Sequence, residues 1–145
     1  MSGITDPTEE YFKDGLWGWD GTQWRKQGLL FGYCSPLSQI KALTVTDAGS
    51  NYLTSDTVEA NSLWIVQLIA VCDSLTTLTR IVIAVVRSGG YYITADVPGP
   101  EPDHWYTRTL NLLMITDDYI NVSFYGCKVD DVIRLRMLGY KVGLT

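Results

Sequence analysis

The sequence predicts an all-β protein, an antiparallel jelly-roll-like β-sandwich with an N-terminal hairpin arm. From residue 63 onward, β-branched segments alternate with turn signals at the spacing expected of a sandwich or barrel. Helical periodicity is sustained nowhere in the chain. About eight strands are predicted after residue 39, which is the number that a jelly roll needs.

Length and composition indicate one folded domain with an arm. The 145 residues, of which 46% are hydrophobic, are enough for a real core. We assign residues 1–39 to the arm and residues 40–145 to the sandwich. With 16 acidic and 11 scattered basic residues, the chain has no basic stripe for a phosphate backbone. The N-terminus lacks a signal-peptide pattern, and the longest apolar run is too short for a membrane-spanning helix. Neither nucleic acid nor a membrane is therefore expected as a direct partner.

The arm contains "LWGWDGTQWRK", Leu16 to Lys26, which holds three of the five tryptophans. Its Asp20-Gly21 dipeptide favours a two-residue type I′ turn, so Trp19 and Trp24 are expected on the two arms of a hairpin. A two-stranded ribbon alone is marginal in water, so the indoles need a surface on which to dock. The sequence leaves open whether this surface is the chain's own sandwich or a neighbour.

Eight segments of the sandwich region have strand character, and the first two are weaker than the rest. They are Ile40–Thr46, Tyr52–Glu59, Leu63–Cys72, Leu78–Arg87, Tyr91–Asp96, His104–Leu113, Tyr119–Tyr125 and Val132–Val142. The last two alternate apolar and polar residues, which indicates one buried and one solvated face. The alternation predicts the following core residues: Trp64, Ile81, Ile83, Ile120, Val122, Phe124, Ile133 and Leu135.

The segments Leu63–Cys72 and Leu78–Arg87 are apolar on both faces. In the first, Trp64, Val66, Leu68 and Ala70 are expected on one face, and Leu63, Ile65, Ile69 and Val71 on the other. Because a sandwich buries only one face of a strand, the second face needs a cover from the N-terminal segment or another subunit. We therefore expect a homo-oligomer or a place in a larger assembly. The alternative is that Gly28–Leu43 folds over this face.

The motif "LWGWDGTQWRKQ" at positions 16–27 resembles a short N-terminal motif of virion structural proteins from tailed bacteriophages. The later stretches "LWIVQLIAVCDSLTTLTRIVIAVVRSGGYYI" and "DDYINVSFYGCKVDDVIRLRMLGYKV" are similar to the β-sandwich portion of such proteins. One departure is "GLLFGYCSPLSQ", where related sequences tend to continue with an Asp-x-x-Gly-x-Leu turn. The resemblance implies a virion protein, assembled in the host cytoplasm, with a head-decoration, minor-capsid or tail-associated role.

The expected partners are other copies of the chain, in a trimer, and other virion proteins. Aromatic and arginine residues are common anchors of interfaces. The predicted partner-binding residues are Trp17, Trp19, Trp24, Arg25 and Lys26, with the two basic residues meeting acidic groups at the rim.

No catalytic site, cofactor or metal is predicted. The pairs Asp117-Asp118 and Asp130-Asp131 are sequence neighbours whose side chains diverge, unlike the paired carboxylates of a glycosidase, so they are interpreted as turn and edge residues. The single histidine, His104, has no nucleophile supported by the sequence.

Metal-binding patterns are weak. Asp47, Asn51 and Asp56 could offer oxygens to calcium, but their spacing lacks the glycine and the closing glutamate of an EF-hand. The three cysteines form neither a disulfide framework nor a zinc motif, and they are interpreted as small buried hydrophobes.

The rival hypothesis is a carbohydrate-binding β-sandwich module. Jelly-roll sandwiches can bind sugars on exposed aromatic platforms, and Tyr91, Tyr92, Trp105 and Tyr106 could form such a platform. Two-sided apolar strands favour protein partners over a glycan.

Overall fold

The computed structural model describes residues 17–19, 24–26 and 34–144. These residues form strands and no helix. The strands are β1 (Trp17–Trp19), β2 (Trp24–Lys26), β3 (Cys34–Thr44), β4 (Gly49–Thr54), β5 (Ser62–Asp73), β6 (Arg80–Arg87), β7 (Gly90–Pro98), β8 (Tyr106–Met114), β9 (Tyr119–Cys127) and β10 (Val132–Gly143). Within the described ranges, no segment is a helix with the length and apolarity that crossing a membrane requires.

Strands β3 to β10 form two four-stranded antiparallel sheets. The first sheet has the order β3-β10-β5-β8 and the second has the order β4-β9-β6-β7. Pairing is nested, because β3 pairs with β10, β4 with β9, β5 with β8 and β6 with β7. A long hairpin that curls into two sheets has this pairing, so the jelly-roll-like sandwich predicted from the sequence is confirmed.

The core lies between the inner faces of the two sheets. Every residue predicted to be core is buried in it, and Trp64, Ile81, Ile120, Phe124 and Leu135 are among the largest fully buried side chains. Each sheet places every second residue of its strands in this layer, as the pleat of a β-strand requires. The core therefore confirms the face assignment of β9 and β10.

The face assignment of β5 is wrong beyond Gln67, where the pairing of β5 with both neighbours shifts register. An extra residue at a bulge reverses the direction in which all later side chains point. The inward residues are Trp64 and Val66 before the bulge and Ile69 and Val71 after it. Leu68 and Ala70 consequently lie on the outer face, opposite to the expectation.

Gly139 makes this bulge possible. It lies on β10 beside the register shift, and a Cβ atom there would overlap the carbonyl oxygen of Ile65. The backbones of β5 and β10 thus approach more closely than any larger residue at position 139 would allow.

The segment from Cys34 to Leu43 does not fold over an outer sheet face. It belongs to β3, which pairs with β10 from Cys34 to Thr44 and forms the edge of the first sheet. The strand therefore begins before Ile40, where the sequence analysis placed its start. Residues 28–33 lie outside the described ranges.

Strands β1 and β2 pair with each other in antiparallel fashion, as expected of a hairpin. Their register joins Trp19 to Trp24, with residues 20–23 between them. A two-residue turn at Asp20-Gly21 would instead join Trp19 to Thr22, so that expected turn type is wrong.

Candidate functional site

The residues predicted to bind a partner lie on the paired strands β1 and β2. Their backbone register places Trp17 opposite Lys26, Gly18 opposite Arg25 and Trp19 opposite Trp24. The side chains of these residues are outside the described part of the structure. Docking through the indoles therefore stays a prediction.

The outer face of the first sheet carries a strip of apolar side chains that crosses β8, β5 and β10. Ladder pairs join Ile65 to Leu113 and Tyr140, and Leu68 to Leu138. Leu113 is 48% exposed and Leu138 is 44% exposed, while the other three are half-buried. We call these five residues the outer strip. It contains no charged side chain.

One end of the first sheet's outer face is covered by the chain itself. The loop before β8 places the ring of Trp105 over this face, where the Arg136 guanidinium lies 5.6 Å from the ring centre. Cys72 is fully buried on the outward side of β5, and burial raises the pKa of its thiol. Apolar outward residues near Cys72 are therefore already shielded within one chain.

The outer face of the second sheet forms a groove of about 340 Å³. Its floor comes from the two central strands, with Val82 and Ala84 on β6 and Asn121 and Ser123 on β9. The walls are Tyr52 and Tyr125 on one side and Tyr91 and Ile93 on the other. We call this feature the outer groove.

The expectation that the second apolar face of β6 needs a cover from the N-terminal segment or another subunit is wrong. Val82, Ala84 and Val86 point outward yet are buried. They are small, and larger wall residues on β7 lie beside them, because Ile93 is the ladder partner of Ala84 and Tyr91 is the ladder partner of Val86. For this strand, the flanking strands of the same sheet supply the shielding.

The aromatic platform considered from the sequence does not assemble. Tyr91 lines the outer groove, whereas Tyr92, the next residue, faces the gap between the edge strands β7 and β8. Trp105 and Tyr106 belong to the other sheet's side of the molecule, and the Tyr106 hydroxyl accepts a hydrogen bond from the Glu101 amide at 2.7 Å. Strand alternation separates the two tyrosines, because consecutive side chains point to opposite faces.

The two aspartate pairs are turn residues, as the sequence analysis expected. The first member of each pair, Asp117 or Asp130, has a positive φ, of 72° and 74° respectively. The second member of each pair is buried and accepts a hydrogen bond from the amide three residues earlier. The Arg87 guanidinium also donates to Asp118. Its Nε and Nη2 atoms lie 2.9 and 2.6 Å from the same carboxylate oxygen, Oδ2. These carboxylates hold turns together and do not converge on an open cleft.

A buried cluster that the sequence analysis missed joins the β5–β6 loop to the β9–β10 turn. The ligand atoms of Asp73, Cys127 and Asp131 lie within 4.8 Å of one another, and all three residues are buried. One oxygen of Asp73 accepts from the amides of Leu75 and Thr76, both at 3.0 Å. Its other oxygen is buried and has no hydrogen-bond partner among the described residues.

The electrostatics of this cluster favour a proton on Asp73. Burial raises the pKa of Asp73, and the neighbouring Asp131 carboxylate raises it further, since two adjacent negative charges repel. Burial also raises the pKa of the Cys127 thiol to about 11, which disfavours the thiolate that metal binding needs. A protonated Asp73 can donate to Asp131, which would satisfy the unpartnered oxygen without a cation.

The candidate calcium ligands are not brought together. The Asn51 amide donates to the backbone oxygens of Asp47 and Gly49 at 3.1 and 3.3 Å. Asp56 instead pairs with Lys41 at 2.7 Å. His104 is exposed and packs edge-on against the Tyr106 ring, with ring centres 4.6 Å apart.

Of the three free cysteines, Cys72 and Cys127 are buried and Cys34 is exposed, so the expectation of buried thiols is wrong for Cys34. This residue begins β3 at the edge of the first sheet.

A scan against protein-family models finds no match to the chain, and a search of curated proteins finds none either.

Proposed function

We propose that this chain is a non-enzymatic structural protein of a tailed-phage particle, which self-associates and docks on capsid or tail proteins. The observation that carries the proposal is the outer strip on the first sheet. Exposed contiguous apolar surface commonly marks a protein interface. Here five apolar side chains on three adjacent strands lie together without a charge between them.

The outer strip favours another copy of the chain as its partner. In a closed trimer the outer strip of each subunit would pack around the threefold axis against its neighbours. Each copy then removes Leu113 and Leu138 from water. We expect a trimer, in line with the resemblance to virion proteins.

The arm supplies the second contact in this proposal. Strands β1 and β2 form a pair of three residues each, and such a short ribbon is marginal by itself. Trp17, Trp19 and Trp24 would gain stability on a neighbouring subunit or capsid surface, and Arg25 and Lys26 would meet acidic groups at its rim.

A structural role also fits the use of the acidic residues. Asp118 and Asp131 are occupied by hydrogen bonds that close turns. His104 is exposed and packs edge-on against the Tyr106 ring. The proposal assigns these residues to the stability of the sandwich and gives none of them a chemical step.

The proposal is tested by the mass of the full chain in solution, measured by light scattering after size exclusion. Wild type should elute as a multiple of 16.2 kDa. The double variant Leu113→Lys, Leu138→Lys should have a lower mass in solution, because the two lysines place charge in the outer strip and weaken self-association. Leu75→Lys is the control, since Leu75 is an exposed apolar residue in the β5–β6 loop. A monomeric wild type, or an equal effect of the control, contradicts self-association through this face.

A further inference from the structure

We propose that the outer groove is a binding site for a short neutral oligosaccharide. This site lies on the second sheet, opposite the outer strip, so the inference goes beyond the assembly role and does not depend on it. The argument rests on the shape of the groove, its uncharged lining and the polar groups on its floor.

The walls of the outer groove present phenol rings to its interior. Tyr52 and Tyr91 are 56% and 64% exposed, although both lie in strands of an ordered sheet. Sugar rings have an apolar face of C–H groups, which packs well on the face of an aromatic ring. Tyrosine adds a hydroxyl that can both donate and accept a hydrogen bond. Walls of this kind suit a ligand that is apolar on its faces and polar at its edges.

The floor of the outer groove supplies hydrogen-bonding groups at fixed positions. The Asn121 amide nitrogen donates to the Ser123 hydroxyl oxygen at 3.2 Å. Among the described residues no donor serves the Asn121 amide oxygen, and the Ser123 hydroxyl has no acceptor. Both residues lie on a central strand and are mostly buried, so their side chains are held in place before a ligand arrives. Hydroxyl groups of a sugar can complete both sets of hydrogen bonds.

The charge of the lining selects a neutral ligand. Among the residues that the structure describes, no side chain with a formal charge lines the outer groove. The ionic groups next to it on the same face, Arg80 and Asp96, pair with each other through two hydrogen bonds of 2.8 and 2.6 Å. A phosphate or an acidic sugar would therefore find no unpaired cation among the described side chains of this groove.

The polar floor also distinguishes the outer groove from a docking site for an apolar protein surface. Covering Asn121 and Ser123 with aliphatic side chains would leave their polar atoms unpaired, which costs free energy. In the outer strip the hydroxyl of Tyr140 is the one polar side-chain group. The volume of about 340 Å³ lies at the lower end of the range for small-molecule sites, which limits the ligand to a few sugar rings.

The test uses the full chain and a panel of neutral oligosaccharides, namely cellohexaose, maltohexaose and chitohexaose, with sialyllactose as the anionic comparison. Binding is measured by calorimetry. At least one neutral probe should bind, and Tyr91→Ala should weaken that binding by about tenfold, as expected for the loss of one stacked ring. The matched control is Tyr92→Ala, because Tyr92 is 61% exposed on the same strand but faces away from the groove.

A second variant, Asn121→Leu, removes the polar floor while keeping side-chain size, and it should also weaken binding. Circular dichroism and thermal unfolding check that each variant folds. The proposal is overturned if no neutral probe binds, or if Tyr92→Ala is as damaging as Tyr91→Ala. It is also overturned if Tyr91→Ala lowers the mass of the protein in solution without changing saccharide binding, since the occupant would then be a second copy of the chain.

Discussion

Replacing Phe124 by alanine tests the register of the sandwich. Phe124 is fully buried on β9, where it faces the core beside its ladder partner Ile81 on β6. Truncating a buried phenylalanine costs about 3–5 kcal/mol, because apolar contacts are lost and a cavity remains. For a domain of this size each kcal/mol lowers the melting temperature by about 2–4 °C, so the expected decrease is roughly 6–20 °C.

Urea unfolding followed by tryptophan fluorescence measures this loss, with the midpoint and the slope fitted separately. The control is Tyr125→Ala, because Tyr125 is the next residue on β9 and lies in the wall of the outer groove. Its truncation should cost much less than that of Phe124. A loss below about 1 kcal/mol for Phe124→Ala would refute the core assignment, since a one-residue slip exchanges the two faces of a strand.

Three further predictions concern the bulge, the buried carboxyl pair and the arm. Gly139→Ala should destabilise the fold by about 1–3 kcal/mol or more, because the added methyl group overlaps Ile65; unchanged stability in urea would show that β5 and β10 separate easily. Asp73 has a raised pKa in the folded state, so its contribution to stability is full below the unfolded pKa of about 3.9 and is lost as pH rises through the folded pKa. Asp73→Asn should therefore gain stability relative to wild type as pH rises above about 4, with Asp117→Asn at an exposed turn position as the control; equal pH profiles of wild type and Asp73→Asn would contradict a shared proton. Deleting residues 1–33 should leave a folded sandwich, since β3 to β10 pair without them. If the proposed virion role holds, the deletion should also weaken co-sedimentation with phage particles; loss of folding would make the arm a structural flap.

The strand pattern of the sandwich could be predicted from the sequence because its signals are local. Alternation in residues 119–125 and 132–142 placed Phe124 and Leu135 in the core, where the structure has them. Turn residues marked the ends of the strands, and both aspartate pairs close turns. The number of strands then indicated the jelly-roll class, although no local signal specifies which strands pair.

Features that depend on contacts between distant segments could not be predicted in this way. The bulge at Gln67 reverses the faces of β5, and it depends on the close approach of Gly139 from a strand far along the chain. The cluster of Asp73 with Asp131 arises because the nested pairing brings two loops to the same end of the sandwich. The outer groove likewise combines Tyr52 and Tyr91 from opposite edges of one sheet. Each of these features requires the strand order, which the sequence pattern does not contain.

The most direct test of the proposed role is quantitative mass spectrometry of purified particles from a tailed phage whose genome encodes this chain. The proposal predicts that peptides from the sandwich, such as those spanning β9 and β10, co-purify with intact particles in a fixed ratio to the major capsid or tail proteins. It also predicts that this ratio persists after density-gradient purification and nuclease treatment. A chain that is abundant in the infected-cell lysate but absent from purified particles would contradict a structural role in the virion.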